Sequence, residues 1–220
     1  MSDLHYLPVS LGEAMDKLSI LDIKLDKITD TRRDTVKIEY DMLHKQLQQD
    51  IEKYTLYYNI MKIVNTELWD MMDLLRDAEE YNHDYMVLCR NCMIANDVRF
   101  RIKNKINYIS NCSLKEQKGY KVMRVLFDAR DLLSSYEDLI FPIRYYSFLY
   151  DQIVILTDKR DIFEEHFSYD PTVTITETEL DDSITYKKSF LLKDKDFSKE
   201  NLYKELEITE EIVKNYFSNF

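Results

Sequence analysis

The sequence predicts an α + α/β protein: a long-helix bundle or hairpin over residues 1–119, then a small parallel α/β unit over residues 120–220. Three observations predict it. Apolar residues recur at helical spacing from Ala14 to Leu75, and no proline or glycine interrupts residues 34–80. Only two glycines, Gly12 and Gly119, and three prolines occur in 220 residues, so glycine turns are scarce and helices should dominate the first part. Past Gly119 the pattern changes to short β-branched apolar runs separated by helix-length segments.

The first helix spans about Val9 to Ile28. Ser10 and Glu13 form a capping box, in which the serine hydroxyl takes a backbone N–H and the glutamate reaches back to the cap. Ala14, Leu18, Leu21, Leu25 and Ile28 make one apolar stripe, with Glu13, Lys17, Lys24 and Lys27 on other faces. Polar Thr29 to Arg33 ends it. A second stripe runs through Val36, Tyr40, Leu43, Leu47, Ile51, Tyr54, Tyr58 and Met61, then Asn65, Leu68, Met72 and Leu75. This reads as one very long helix, or as two in line with a bend near 48–56, able to pair with both neighbours. Asn82 caps a further helix from His83 to about Ser110, and Ser113 with Glu116 marks a short helix stopped by Gly119. The sole tryptophan, Trp69, is expected to anchor the helical core, because an indole buries ~200 Å². Truncating such an anchor costs about 3–5 kcal/mol.

In the second part, K-V-M-R-V-L-F (121–127) suits a buried strand, with a helix running on to Leu133 as its rival. A polar loop covers 128–138. A helix follows from Leu139 to Tyr150, with Pro142 near its first turns, where proline is best tolerated. Q-I-V-I-L (152–156) is a second strand, Lys159 to Phe167 a helix, and T-V-T-I-T (172–176) a third strand. Alternation of this kind implies a Rossmann-like parallel sheet with right-handed crossovers.

The charge balance is 30 Lys+Arg against 41 Asp+Glu, net -11, which argues against nucleic acid or an anionic membrane as the main partner. No run reaches the ~18 apolar residues that a membrane span needs. The opening M-S-D-L-H-Y-L-P has no signal pattern, and three cysteines suit a reducing compartment. A soluble cytoplasmic protein is expected.

Cys89 and Cys92, with Cys112 and His83, could supply four zinc ligands, but a C-x-x-C inside a helix suits buried free thiols better. The histidines His5, His44, His83 and His166 are scattered, and no H-E-x-x-H or G-x-S-x-G occurs, so no nucleophilic triad is supported. Asp181-Asp182 reads as a turn or solvated loop rather than a metal site. No metal and no cofactor is expected. Lys17, Lys24, Arg76, Arg90, Arg99 and Lys103 are candidates for an anion-binding groove between helices, since arginine forks recognise phosphate and carboxylate. The competing reading is a network of structural salt bridges, as in the helical pairs Asp73 with Arg76 and Asp97 with Arg101.

P-V-S-L-G-E-A-M-D-K-L-S-I-L-D-I-K (8–24), N-x-x-L-W (65–69), Asp73, Arg76 and Glu79 carry a resemblance. It continues through L-C-R (88–90), N-D-V-R (96–99), Lys103, I-N (106–107) and S-L-K-E-Q-K-G-Y (113–120). Over about 8–120 the chain resembles an uncharacterised bacterial family of small helical proteins, often encoded beside cell-surface polysaccharide genes. The six basic candidates belong to these motifs. A second resemblance rests on E-D-L-I-F-P-I-R-Y-Y-S-F-L-Y-D (137–151) and F-S-Y-D-P-T-V-T-I (167–175). These look like the first half-domain of heptosyltransferase-like glycosyltransferases with two Rossmann-like domains (GT-B). The pattern keeps Asp138, Pro142, Arg144 and Tyr145 but has Glu137 where that family carries glycine, and 202–217 resembles a later helix of it. About 100 residues follow Tyr120, too few for a donor domain of ~150 residues, and loop 128–138 has no glycine to cradle a phosphate.

The expected function is therefore an accessory or binding protein linked to glycan or nucleotide-sugar metabolism. It would bind an anionic ligand, such as a nucleotide sugar or phosphorylated small molecule, or a protein partner, through the helical part. One alternative is a glycosyltransferase-like enzyme completed by another chain, with Asp138 as its loop residue. The other is a helical interaction scaffold whose long helix pairs with itself or with a partner.

Overall fold

The structure is a computed structural model that describes residues 7–119, 121–178, 184–193, 198–206 and 208. The chain divides into two compact units, Met1–Gln117 and Lys118–Phe220, where the sequence placed the boundary at 119/120. His5, Asp181, Asp182 and residues 209–217 lie outside the described residues.

Among the described residues, the helical unit has four helices: α1 (Leu11–Lys27), α2 (Arg32–Lys53), α3 (Thr55–Asp77) and α4 (His83–Ile109). Ser10 caps α1, its hydroxyl accepting the Glu13 N–H at 3.2 Å. Only half of the expected capping box forms, because the Glu13 carboxylate turns to Lys103 instead, at 2.5 Å. Helix α1 packs against α2, α3 and α4. Surrounded in this way, it buries Met15, Leu18, Leu21 and Ile23 together with polar Asp16 and Ser19, while Ala14 and Leu25 are half-buried. A one-stripe reading describes a helix on a surface, not one enclosed on several sides.

The long helix is two helices, interrupted at Tyr54 (φ -115°, ψ 31°), within the window where a bend was expected. Hydrogen bonding nonetheless continues through the break: the Tyr54 N–H donates to Asp50 O at 2.9 Å, and the Tyr58 N–H to Tyr54 O at 3.1 Å. Thr55 supplies a physical cause, since its hydroxyl donates to the carbonyls of Ile51 (2.8 Å) and Glu52 (2.9 Å). Back-bonding of this kind bends helices. Asn82 caps α4 by accepting the Tyr85 N–H at 3.1 Å. The short helix expected after Ser113 does not form. Its capping glutamate, Glu116, is drawn to Lys103 at 2.7 Å, and Asn104 Nδ2 donates to the Glu116 carbonyl at 3.1 Å.

The core of this unit is Met15, Leu18, Ile60, Met61, Val64, Ile102 and Ile106. Among the described residues, α3 beyond Asn65 and α4 before Val98 contribute nothing fully buried. Trp69 lies in that stretch and is only half-buried, so it is not the anchor the sequence suggested. The anchor positions are one to three turns earlier on α3.

The α/β unit contains β1 (Arg124–Asp128), α5 (Glu137–Leu149), β2 (Gln152–Leu156), α6 (Arg160–Phe167), β3 (Val173–Thr176), β4 (Lys188–Leu191) and α7 (Lys199–Glu205). The sheet is wholly parallel, in the order β3-β2-β1-β4. Its register lines up Ile175, Ile155, Phe127 and Phe190 across all four strands. Phe127 and Ile155 are fully buried with Leu139, Ile143 and Tyr146 of α5 and Phe163 and Phe167 of α6. Strand, not helix, is the outcome at 124–128, because both neighbours of β1 pair with it. Strand β4 was not foreseen: K-S-F-L is short and half polar, and only pairing with β1 defines it. Helix α5 runs through Pro142, one turn further in than the position where proline costs least. No helix among the described residues is long and apolar enough to cross a membrane.

Burial yields a direct comparison. Met61→Ala should cost about 2–5 kcal/mol in urea or thermal unfolding. Trp69→Ala should cost less than Met61→Ala in the same assay. The reverse order would place Trp69 in the core after all.

Candidate functional site

The polar residues of the first motif converge between α1, α3 and α4. Asp16, on α1, is the centre. Arg99 of α4 clasps it with two bonds, Nε to Oδ1 at 2.8 Å and a terminal nitrogen to Oδ2 at 2.6 Å. Asn65 of α3 donates through Nδ2 to Asp16 Oδ1 at 2.9 Å and to Ser19 Oγ at 2.7 Å, and Ser19 donates to the Asp16 carbonyl at 2.8 Å. The Asp16 side chain is 4% exposed and that of Arg99 26%. The bond to Asp16 raises the Arg99 pKa above its ordinary value, more than burial lowers it.

One turn toward the α1 N-terminus, helix meets helix at backbone distance. A Cβ on Gly12 would lie 2.3 Å from the Lys103 carbonyl oxygen, so only glycine fits. The Gly12 N–H donates to Asn107 Oδ1 at 2.7 Å. Beside it, Lys103 Nζ bridges Glu13 (2.5 Å) and Glu116 (2.7 Å). Burial works to lower the Lys103 pKa, but the hydrogen bonds to Glu116 and Glu13 outweigh it, so the amine titrates above its ordinary 10.5.

Of the six candidate basic residues, the structure brings Arg99 and Lys103 together, each already matched by carboxylates. Lys17 points to Glu39 of α2 at 2.7 Å, and Arg76 pairs with Asp73 in its own helix at 2.9 Å, both exposed. Lys24 is half-buried on α1, and Arg90 is exposed on the second turn of α4. The salt-bridge alternative thus describes the Arg99–Lys103 cluster better than an open anion groove does. Asp16 and Asn107, the acceptors that organise this cluster, were not singled out from sequence. The available signal was Gly12 itself, one of two glycines, placed inside a helix.

In the α/β unit, Asp138 lines a cavity of about 470 Å³ with Ser135, Tyr136, Glu137, Ile162, Glu165 and His166. Three carboxylates on that wall disfavour a phosphate. Loop 128–138 is more buried than its polar sequence implies: Ala129, Leu132 and Tyr136 turn into the core. At its start, the Arg130 guanidinium chelates Asp128 (3.0 and 2.6 Å) and holds that carboxyl below its ordinary range. The pair occupies the carboxyl end of β1 beside β4, the crevice where open α/β sheets usually bind ligands.

Cys89, Cys92 and Cys112 are free and half-buried, and burial, then the neighbouring Cys89, pushes the Cys92 thiol up. Among the described residues, no group of three or more His, Cys, Asp or Glu is placed to hold a metal.

Two outcomes follow for the cluster. Asp16→Ala strands Arg99 and Asn65 and should cost about 3–5 kcal/mol, while Gly12→Ala should cost about 1–3 kcal/mol through overpacking. Urea titrations check both. The Lys103 contribution has a defined pH sign. Because its folded pKa is raised, the stabilisation is complete below the ordinary 10.5 and is lost as pH rises through the higher folded value. The Tm difference between wild type and Lys103→Met should therefore stay constant through neutral pH and shrink only at strongly alkaline pH.

Comparison with known proteins adds one match. A family described as a family of unknown function (DUF6165) matches residues 6–128. Neither curated proteins nor solved structures give a match. The matched segment takes in α1 to α4, the whole Gly12–Asp16–Arg99 cluster and β1, more than half of the chain, and the protein therefore belongs to the DUF6165 family.

Proposed function

We propose that the protein is a non-catalytic interaction scaffold, whose helical unit docks a partner along the distal half of the α3–α4 hairpin. The observation that carries this is the split character of these two helices. Up to Asn65, and again from Val98, they fill the core; between those points they bury nothing completely. Yet that stretch is rich in large apolar side chains. Leu74 is 61% exposed, Met86 68% and Met93 71%, and Met86 and Met93 lie two turns apart on one face of α4. Methionine is an adaptable contact residue for a partner helix.

The charge of the arm selects its occupant. Residues 66–97 carry Glu67, Asp70, Asp73, Asp77, Glu79, Glu80, Asp84 and Asp97 against only Arg76 and Arg90. A second copy would set acidic arm against acidic arm. A basic amphipathic helix of another protein is complementary in both charge and apolarity. The link to glycan or nucleotide-sugar metabolism remains part of this proposal as the setting in which such an accessory protein would act. The enzyme alternative draws less support, since the cavity beside Asp138 is walled by carboxylates and loop 128–138 serves the core.

Trp69 is the only tryptophan and sits on this arm, which makes it a natural probe. Titration with a synthetic Leu/Lys amphipathic peptide of about five turns should blue-shift its emission, saturably and less at high salt. A Leu/Glu peptide should not. The variant Met86→Glu/Met93→Glu, with helicity intact by circular dichroism, should lose the response. No response to the Leu/Lys peptide overturns the reading, as does a homodimer in sedimentation that this double variant dissociates.

A further inference from the structure

We infer that the α/β unit binds a diphosphate-bearing small molecule in a basic pocket at the amino-terminal ends of β1 and β4. A cavity of about 330 Å³ opens there, lined by Lys121, Val122, Met123, Arg124, Tyr186 and Lys187 among others. Its size is at the lower end of the range for small-molecule sites. Three of its lining residues are basic, in a chain whose net charge is -11. Among the described residues, no carboxylate forms an ion pair with Lys121, Arg124 or Lys187. That separates this pocket from the Arg99–Lys103 cluster, where every cation is matched.

Backbone, carboxylate and amide acceptors fix the walls of the pocket. The Lys187 N–H donates to the Arg124 carbonyl at 2.7 Å, fixing the start of β4 against β1. The Met123 N–H donates to Asp151 Oδ2 at 2.8 Å. Arg124 Nε donates to Gln152 Oε1 at 2.7 Å, which orients the guanidinium and leaves its terminal nitrogens for a ligand. An oriented guanidinium fork matches two phosphate oxygens, and the two lysines add point charges. A phosphate monoester carries about -1.5 to -2 at neutral pH, so three cations suit a diphosphate better. Val122, Met123 and the Tyr186 ring provide an apolar wall for whatever the diphosphate is attached to. The site forms only because β4 returns beside β1, joining residues some sixty positions apart, which is why no local motif announces it.

The pocket lies outside the helical unit, so it stands or falls independently of the docking arm. Calorimetric titration of the full chain with inorganic pyrophosphate tests it. Wild type should bind, with amide shifts in NMR spectra centred on 121–124 and 185–187. Lys121→Ala/Lys187→Ala, both at exposed positions, should weaken binding at least about tenfold, or ~1.4 kcal/mol. Arg124→Lys should also weaken it, since it keeps the charge and loses the fork, whereas Lys159→Ala outside the pocket should bind as wild type does. Competition by a nucleoside diphosphate or by an isoprenyl diphosphate then assigns the ligand's other end. Absence of pyrophosphate binding at millimolar concentration, or undiminished binding by the double lysine variant, overturns the inference.

Discussion

The helical unit depends on one buried carboxylate. Asp16 sits in the second turn of α1 with three helices packed around that helix, and it receives donors from both α3 and α4. A buried charge is tolerated only when its lone pairs are satisfied. Arg99 and Asn65 do this together, and neither can shift by a helical turn without leaving Asp16 under-coordinated. The apolar core supplies the drive to pack, but leucines and isoleucines tolerate sliding. The Asp16 bonds specify register, the use for which buried polar groups are best attested.

The same residues explain what was legible in the sequence. Helix starts at Ser10 and Asn82 could be read because a cap is a local signal, set within three or four residues. The capping roles of Glu13 and Glu116 could not, since Lys103, on another helix, competes for both carboxylates. Tyr54 shows the middle case. Absence of proline and glycine rightly gave uninterrupted helix-forming sequence, but a single threonine hydroxyl at the next position is enough to break the regular geometry. Trp69 failed for a different reason. Residue type indicates what burial would be worth, not whether a neighbouring helix reaches far enough to provide it.

In the α/β unit the apolar runs of β1 and β2 were legible, β1 with a helix as its rival, because these two strands are central in the sheet and largely buried. Strand β4 carries Lys188 and Ser189 and becomes a strand through pairing. The basic candidates follow the same logic. Those grouped by motif on the helical unit turned out dispersed or already neutralised, whereas Lys187 joins Lys121 and Arg124 only through the pairing of β4 with β1.

The close approach at Gly12 has a kinetic consequence. Its N–H is bonded not within its own helix but to Asn107 on α4, under a glycine too tightly seated for water to enter beside it. Amides in the first turn of a helix normally exchange with solvent quickly, because they lack partners within the helix. This one can exchange only when α1 and α4 part. Its protection therefore reports the free energy of opening that helix pair, separately from fraying of either helix end.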